Sequence, residues 1–289
     1  MRKLVGFFVF FAFLGIAAAQ EQQQGMNQPP KVLVITREFL KPGKSGAPHE
    51  KTEMVFTQAL ARAKEPVHYL GMNSLSGKTR ALFVIPFDSF EAWEKDTMWS
   101  QGNAALSAAL DRANVADGEL LESTDQGAFV YSAEYSFHPA VDMPHMRYFE
   151  IEAFQIRPGH RAEWDEAVKM VKAAYEKAVP DAHWATYEEI LGGRNFFVVF
   201  TPMKSLSELD HEMMANKQFM GAMGADGMKK LEELSAASIE SSTTNLFAFN
   251  AKLSYISEDW IKADPDFWKP KAAPAPAATK KKPEKPAAN

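Results

Sequence analysis

Glu150 and Glu152 in "RYFEIEAFQI", and His68 and His183 at the heads of two similar segments, are the residues best able to do chemistry in this chain. Alternate residues of a strand point to the same side, so Glu150 and Glu152 share a face with Tyr148 and Phe154. Carboxylates crowded into a confined space raise one another's pKa and can exchange protons near neutral pH. His183 shares a strand face with Ala185, Tyr187 and Glu189, which suits acid–base or ligand work. Glu134, Asn250 and Lys252 lie on the last strands of the two halves and join this set if the polar faces turn inward. His183, Tyr187, Glu150 and Glu152 are therefore the candidate catalytic residues. His68, Glu134, Asn250 and Lys252 are the candidate ligand-binding residues. The opposing reading is that the carboxylates solvate an open rim, paired with Lys252 or Arg37, while the histidines cap the same turn twice.

Other chemistries find less support. His138, Asp142 and His145 are metal-ligand types, but their segment has two prolines and no helical or hairpin ligand spacing, so no metal site is expected. The chain has no Cys, which excludes disulfides, thiolate ligands, a Cys nucleophile and a lipoprotein anchor. It also lacks HExxH, an EF-hand loop, a phosphate-binding glycine loop and the Gly-x-Ser-x-Gly elbow. "GAMGADGMKK" has neither GxGxxG spacing nor a preceding strand, and reads as a helix-breaking loop. The Met-rich stretch 211–228 reads either as a helix with Met filling gaps or as an adaptable apolar lid.

The elements that position these residues occur twice. "PVHYLGMNSLSGKTRALFVIPF" (66–87) has the outline of "PDAHWATYEEILGGRNFFVVF" (180–200): His then an aromatic, a Gly-containing turn, Arg80 or Arg194, and an apolar strand. Upstream, Lys41-Pro42-Gly43-Lys44 aligns with Arg157-Pro158-Gly159-His160; downstream, 88–95 aligns with 204–211 and 129–137 with 247–255. The offset stays near 116 residues throughout, the mark of an internal duplication. Each half predicts a strand, a Pro-Gly turn, a helix, a hairpin, a second helical region capped by Ser89 or Ser205, and a last strand. In the helix over 161–179, Trp164, Ala167, Val168, Val171 and Tyr175 form one apolar stripe. The expected fold is α+β: two tandem ferredoxin-like β-α-β-β-α-β repeats packing sheet to sheet.

This arrangement resembles the dimeric α/β-barrel superfamily, fused within one chain over about residues 31–256. Antibiotic-biosynthesis-type monooxygenases, NIPSNAP-like proteins and the chlorite-dismutase group share it, and no signature motif of one of them is present. The resemblance implies an intrachain barrel with a pocket between its sheets. With Phe149, Ile151 and Ala153 expected under the helices, Glu134, Glu150, Glu152, Asn250 and Lys252 are expected to face into or around that barrel. Three functions stay open. One is a small-molecule-binding protein, extending to a cofactor-independent oxidoreductase or isomerase. Another is a non-catalytic envelope scaffold. The third, implied by the chlorite-dismutase resemblance, is a haem-binding barrel with His183 or His211 as axial ligand. The sequence assigns no cofactor.

The ends set the compartment. "MRKLVGFFVFFAFLGIAAAQ" has the charged, apolar and small-residue order of a signal peptide, residues 1–19, with cleavage after Ala19. Its apolar run is short of the roughly 20 residues of a membrane span, so the mature chain is expected to be exported, periplasmic or extracellular, with no transmembrane segment. The reading along the chain is a disordered start at 20–30, repeat one at 31–137, a linker at 138–146, repeat two at 147–256, an extension at 257–268 and a disordered Lys/Pro/Ala tail at 269–289. The tail carries six Lys against Glu284, a charge of +5. Taking that and Arg2 and Lys3 from the chain's −5 leaves an acidic body of −12. An acidic body argues against nucleic acid as partner, whereas the tail either solvates itself or meets an anionic envelope surface. Ending the chain at Trp268 should leave the melting temperature nearly unchanged, because the tail contains no core residue; a large drop on truncation would refute this.

Overall fold

In the computed structural model, residues 28–192 and 196–269 are described. The expected signal peptide, the start of the mature chain up to residue 27, the tail beyond Lys269 and Arg194 of the second hairpin lie outside them. The first repeat contains β1 (Val32–Leu40), α1 (Ala47–Ala63), β2 (Leu70–Ser74), β3 (Arg80–Phe87), α2 (Phe90–Gly102), α3 (Ala104–Gly118) and β4 (Leu121–Phe137). The second contains β5 (Tyr148–Ile156), α4 (Arg161–Ala178), β6 (Trp184–Leu191), β7 (Phe196–Met203), α5 (Ser207–Ser238) and β8 (Ile239–Phe249). Two short helices follow, α6 (Glu258–Ala263) and α7 (Pro265–Trp268). Both Pro-Gly turns form as expected: Gly43 at φ 76° and Gly159 at φ 85° occupy the left-handed region that favours glycine.

The two repeats close into one eight-stranded antiparallel barrel in the order β1-β3-β2-β8-β5-β7-β6-β4, with β4 returning to β1. Each repeat contributes the order 4-1-3-2 of a split β-α-β unit and leaves two edges. β2 takes β8 across the gap through Met72–Phe249, Asn73–Ala248 and Ser74–Phe247, and β4 takes β6 on the other side. Every strand edge is thereby paired, which removes the exposed ladders that make open sheets associate. No helix among the described residues is long and apolar enough to cross a membrane.

The barrel interior is apolar and drawn from both repeats: Leu33, Ile35, Met72, Leu82, Phe149, Ile151, Val198, Phe200, Phe247 and Phe249 belong to one buried cluster. This reverses the expected strand faces. Phe149 and Ile151 point into the barrel, and Phe129 and Tyr131 pack there too, while Glu150, Glu152 and Phe154 lie outside, beneath α4 and α5. The cause is enclosure. Two sheet faces that meet enclose the aromatic and branched side chains most fully, whereas helices cover the outer face incompletely and leave room there for carboxyl groups. The register breaks between Ser132 and Phe137, so Tyr135 leaves the interior and packs on Trp164 and Phe197 outside.

Of the two expected serine caps one forms, and the expected glycine loop does not. Ser89 caps α2, its hydroxyl accepting from the Ala92 amide at 3.1 Å. Ser205 does not cap α5; that helix starts at Ser207, and the Glu208 carboxylate takes the Lys204 and Ser205 amides instead. The expected glycine loop is a single break at Gly224, φ 70°, with helix on both sides. Met213, Met214 and Met220 are exposed on that helix, which buries Phe219 and, at its end, Ser238.

One end of the barrel is closed by chain segments rather than strands. Trp268 is 1% exposed, its indole N–H donates to the Pro144 carbonyl at 2.7 Å, and its ring meets Trp260 and Phe267 edge-on. Arg147 and Asp264 form an ion pair that ties the inter-repeat segment to the start of α7. Trp268 is thus part of the core, with Trp260, Ile261 and Phe267 packed against it. Trp268→Ala should lower stability by about 3–5 kcal/mol, read as a fall in the denaturation midpoint at unchanged slope; an unshifted midpoint would show that the segment only decorates the surface.

Candidate functional site

Two cavities flank His183 on opposite sides of the sheet. The first, of about 470 Å³, is the barrel's closed end between the two sheets, lined by Leu33, Leu70, Val84, Phe149, Phe200 and Trp260. His68, His183 and Tyr187 line it too, so the pseudo-twofold relation between the repeats does bring the two strand-head histidines to one cavity. Their polar atoms are largely committed. Tyr187 donates to the Pro30 carbonyl at 3.1 Å, and burial holds its hydroxyl far above the usual tyrosine range. His68 stacks on Tyr255 at 4.7 Å, and burial lowers its pKa. His183 Nε2 lies 2.9 Å from the Pro202 carbonyl and Nδ1 lies 3.3 Å from that of Asp181. This end is an apolar pocket with fixed donors.

The second cavity, about 580 Å³, is the cleft of repeat two between the outer sheet face and helices α4 and α5. The helix stripe is its apolar wall: Trp164, Ala167, Val168, Val171 and Tyr175 all line it, with Phe154 and Trp184 opposite. Glu150 and Glu152 project from β5 on one face because they are two residues apart, and Glu208, His211 and Glu212 reach the cleft from the first turns of α5. The carboxyls of Glu150 and Glu212 are within hydrogen-bonding reach of each other. Loss of hydration, then the neighbouring Glu150, push Glu212 up to about 7. Glu152 is also raised, mainly by burial and then by Glu150, with the Thr244 hydroxyl 3.5 Å from its Oε1. A carboxyl pair that shares a proton near neutral pH can both donate to a ligand and accept from it.

The remaining sequence candidates lie elsewhere. Glu134 is exposed on the outer surface, 3.7 Å from Lys169, because the irregular end of β4 turns it away from the barrel. Asn250 and Lys252 follow the end of β8 in a turn, and both bind Glu50 of α1, at 3.1 and 2.7 Å. The structure therefore gathers Glu150, Glu152 and His183 at the second cleft, but not Tyr187, His68, Glu134, Asn250 or Lys252. Glu212 and the cleft position of His211 depend on how α5 folds over the sheet. Their sequence signal, a Glu-rich first turn, is that of any solvated helix.

Repeat one has its own, smaller cleft of about 240 Å³ under α1–α3. At its base Glu38, His49, Glu53 and Asp117 place their ligand-type atoms within 4.8 Å of one another. Burial and the nearby carboxylates push Glu53 up to about 9.

No protein-family model matches the chain, and no curated protein is significantly similar to it. Some solved structures are similar to it in part. A protein of Fusobacterium nucleatum, provisionally named a monooxygenase, is 11% identical with a TM-score of 0.49, covering 76% of this chain and 93% of its own. A mutant chlorite dismutase of Candidatus Nitrospira defluvii is 10% identical with a TM-score of 0.47, covering 83% and 98%. An anthrone oxidase-like protein is 11% identical with a TM-score of 0.45, covering 78% and 93%. These are likenesses of fold, and no residue role is carried across.

The raised Glu212 has a consequence for stability. The folded state holds this proton more tightly than the unfolded chain, whose reference is 4.5, so the stability it contributes is whole below pH 4.5 and is lost as the pH rises toward about 7. Glu212→Gln cannot titrate and should flatten that part of the stability–pH curve. Superimposable wild-type and variant curves between pH 4.5 and 7 would refute the assignment.

Proposed function

We propose that this chain is a small-molecule- or cofactor-binding barrel whose ligand occupies the cleft of repeat two. The observation that carries the reading is the convergence of Glu150, Glu152 and Glu212 on one side of a cavity whose other wall is aromatic and aliphatic. Such a site combines an apolar body with a few polar groups that fix orientation, as ligand pockets do. Its charge favours a ligand with a flat apolar part and hydrogen-bond donors or a positive charge facing the carboxyls. Glu212 would pass a proton to or from the ligand, with Glu150 and Glu152 holding it and His183 bordering the far end. The signal-like first residues support an exported location, and the basic tail supports contact with an anionic envelope surface.

Haem is a second reading, favoured by one observation: two histidines, His183 and His211, line a cleft large enough for a planar group with aromatic walls. His183 would have to give up its Pro202 contact to ligate a metal, so His211 is the better axial candidate. The carboxyls of Glu150, Glu152, Glu208 and Glu212 would repel haem propionates, so that part of the lining fits the group poorly.

Both readings meet in one experiment. The mature chain is purified under non-denaturing conditions, and its native mass and absorbance are recorded before and after haemin titration. A bound mass lost on denaturation, and released by Glu150→Gln/Glu152→Gln, supports the cleft as ligand site. A Soret band that shifts in His211→Ala supports haem. A clean apo mass, with no response to haemin and no small organic cation shifting the melting temperature, would overturn the proposal.

A further inference from the structure

Repeat one carries a second polar centre that the cleft of repeat two does not use. Glu38 projects outward from β1, His49 and Glu53 are one helical turn apart on the inner side of α1, and Asp117 comes from the last turn of α3. His49 is 1% exposed, Glu53 3% and Asp117 2%. His49 Nε2 lies 3.0 Å from Glu38 Oε2, 3.7 Å from Glu53 Oε1 and 3.7 Å from Asp117 Oδ1. Thr52 fixes the last of these, its hydroxyl donating to Asp117 Oδ1 at 2.5 Å.

The charge in this centre is unbalanced. Three carboxyl groups meet a single imidazole, and among the described residues no Lys or Arg forms an ion pair with Glu38, Glu53 or Asp117. Buried carboxylates are normally paired or bound to a metal. One turn away the fold does supply a cation: Glu50 binds Lys252 at 2.7 Å. Glu53 Oε1 is fully buried, has no hydrogen-bond partner among the described residues, and points to the middle of the cluster. Such an oxygen is aimed at something the protein's own atoms do not provide.

We propose that Glu38, His49, Glu53 and Asp117 bind one divalent cation. An imidazole with three carboxylates suits a first-row ion of the Mn²⁺, Fe²⁺ or Zn²⁺ kind rather than a soft, thiolate-seeking one. Ligand bonds of about 2.0–2.2 Å set neighbouring ligand atoms about 3.4 Å apart in a tetrahedron, close to the 3.0 and 3.7 Å between His49 Nε2 and the three carboxyl oxygens, and the whole set lies within 4.8 Å. The ion supplies the missing positive charge and joins β1, α1 and α3. Glu38 and Glu53 open onto the cleft of about 240 Å³, which gives the ion an access route. At the 116-residue offset, repeat two has Phe154, Asp165 and Lys169 in place of Glu38, His49 and Glu53, so the site belongs to repeat one and is independent of the proposed ligand cleft.

The test uses the full mature chain, freed of metal with a chelator. Zn²⁺ and Mn²⁺ are titrated by calorimetry, Co²⁺ by its visible absorbance, and melting is followed with and without each ion. We expect about one equivalent per chain, a rise in melting temperature on loading, and a Co²⁺ spectrum of mixed nitrogen and oxygen ligation. Glu53→Gln should weaken binding by about 100-fold or more. Without metal the same variant should melt no lower than wild type, because a neutral amide replaces an unpaired buried carboxyl and can donate to Glu38 or Asp117. His49→Gln provides the same reading with a different ligand removed. Absence of binding to the wild-type chain, or equal affinity and stoichiometry in both variants, would overturn the site and leave a cluster held by protons alone.

Discussion

Closure of the barrel is the constraint on which the rest of this structure depends. A single β-α-β-β-α-β repeat leaves two strand edges and one bare sheet face. Each is costly, because unpaired backbone groups and exposed apolar area both favour association. Duplication resolves all three at once. β2 pairs with β8, β4 pairs with β6, and the two bare faces become one interior. Residues 257–268 complete the enclosure by setting Trp268 into the end of that core beside Phe249.

That closure decides where chemistry can take place. An interior enclosed by two sheet faces is filled with Phe, Leu, Ile, Val and Met; the cavity at one end has Tyr187 and His183 beside backbone carbonyls, and a smaller one of about 130 Å³ is lined by Arg37 and Arg80 as well as apolar residues. Glu38, Glu150 and Glu152 lie on the outer face, where they meet helices that do not cover the sheet completely. The barrel therefore serves as a rigid platform, and the two clefts on its outside are the places where ionisable groups are both confined and reachable. Rigid strands with helices laid over them hold such groups more accurately than loops would.

The clefts have diverged although the framework has not. At corresponding places repeat one has a buried His with three carboxyl groups, and repeat two has an aromatic wall of Phe154, Trp164, Tyr175 and Trp184 beside its carboxyl groups. Barrel closure fixes the inward residues of both repeats by packing, so outward positions are freer to change without loss of the fold.

The sequence by itself determined the duplication, the order of elements and the barrel they form. These follow from local signals: the Pro-Gly turns, the helical stripe from Trp164 to Tyr175, and the period-two strands, all repeated at one offset. It also marked Glu150, Glu152 and His183, because residue type and strand alternation are visible in a line of letters. Only the tertiary structure decided which strand face was inside. Alternation gives two faces but not their direction, and the apolar face suits either the other sheet or the helices until closure ranks the two by enclosure. The same holds for Glu212, which becomes a partner of Glu150 only when α5 lies across β5, and for Glu38, His49, Glu53 and Asp117. Those four are separated by up to 79 positions and converge because β1, α1 and α3 pack together. Ligand sets assembled across elements leave no spacing to read, since their geometry is set by packing and not by the chain's own repeat distance.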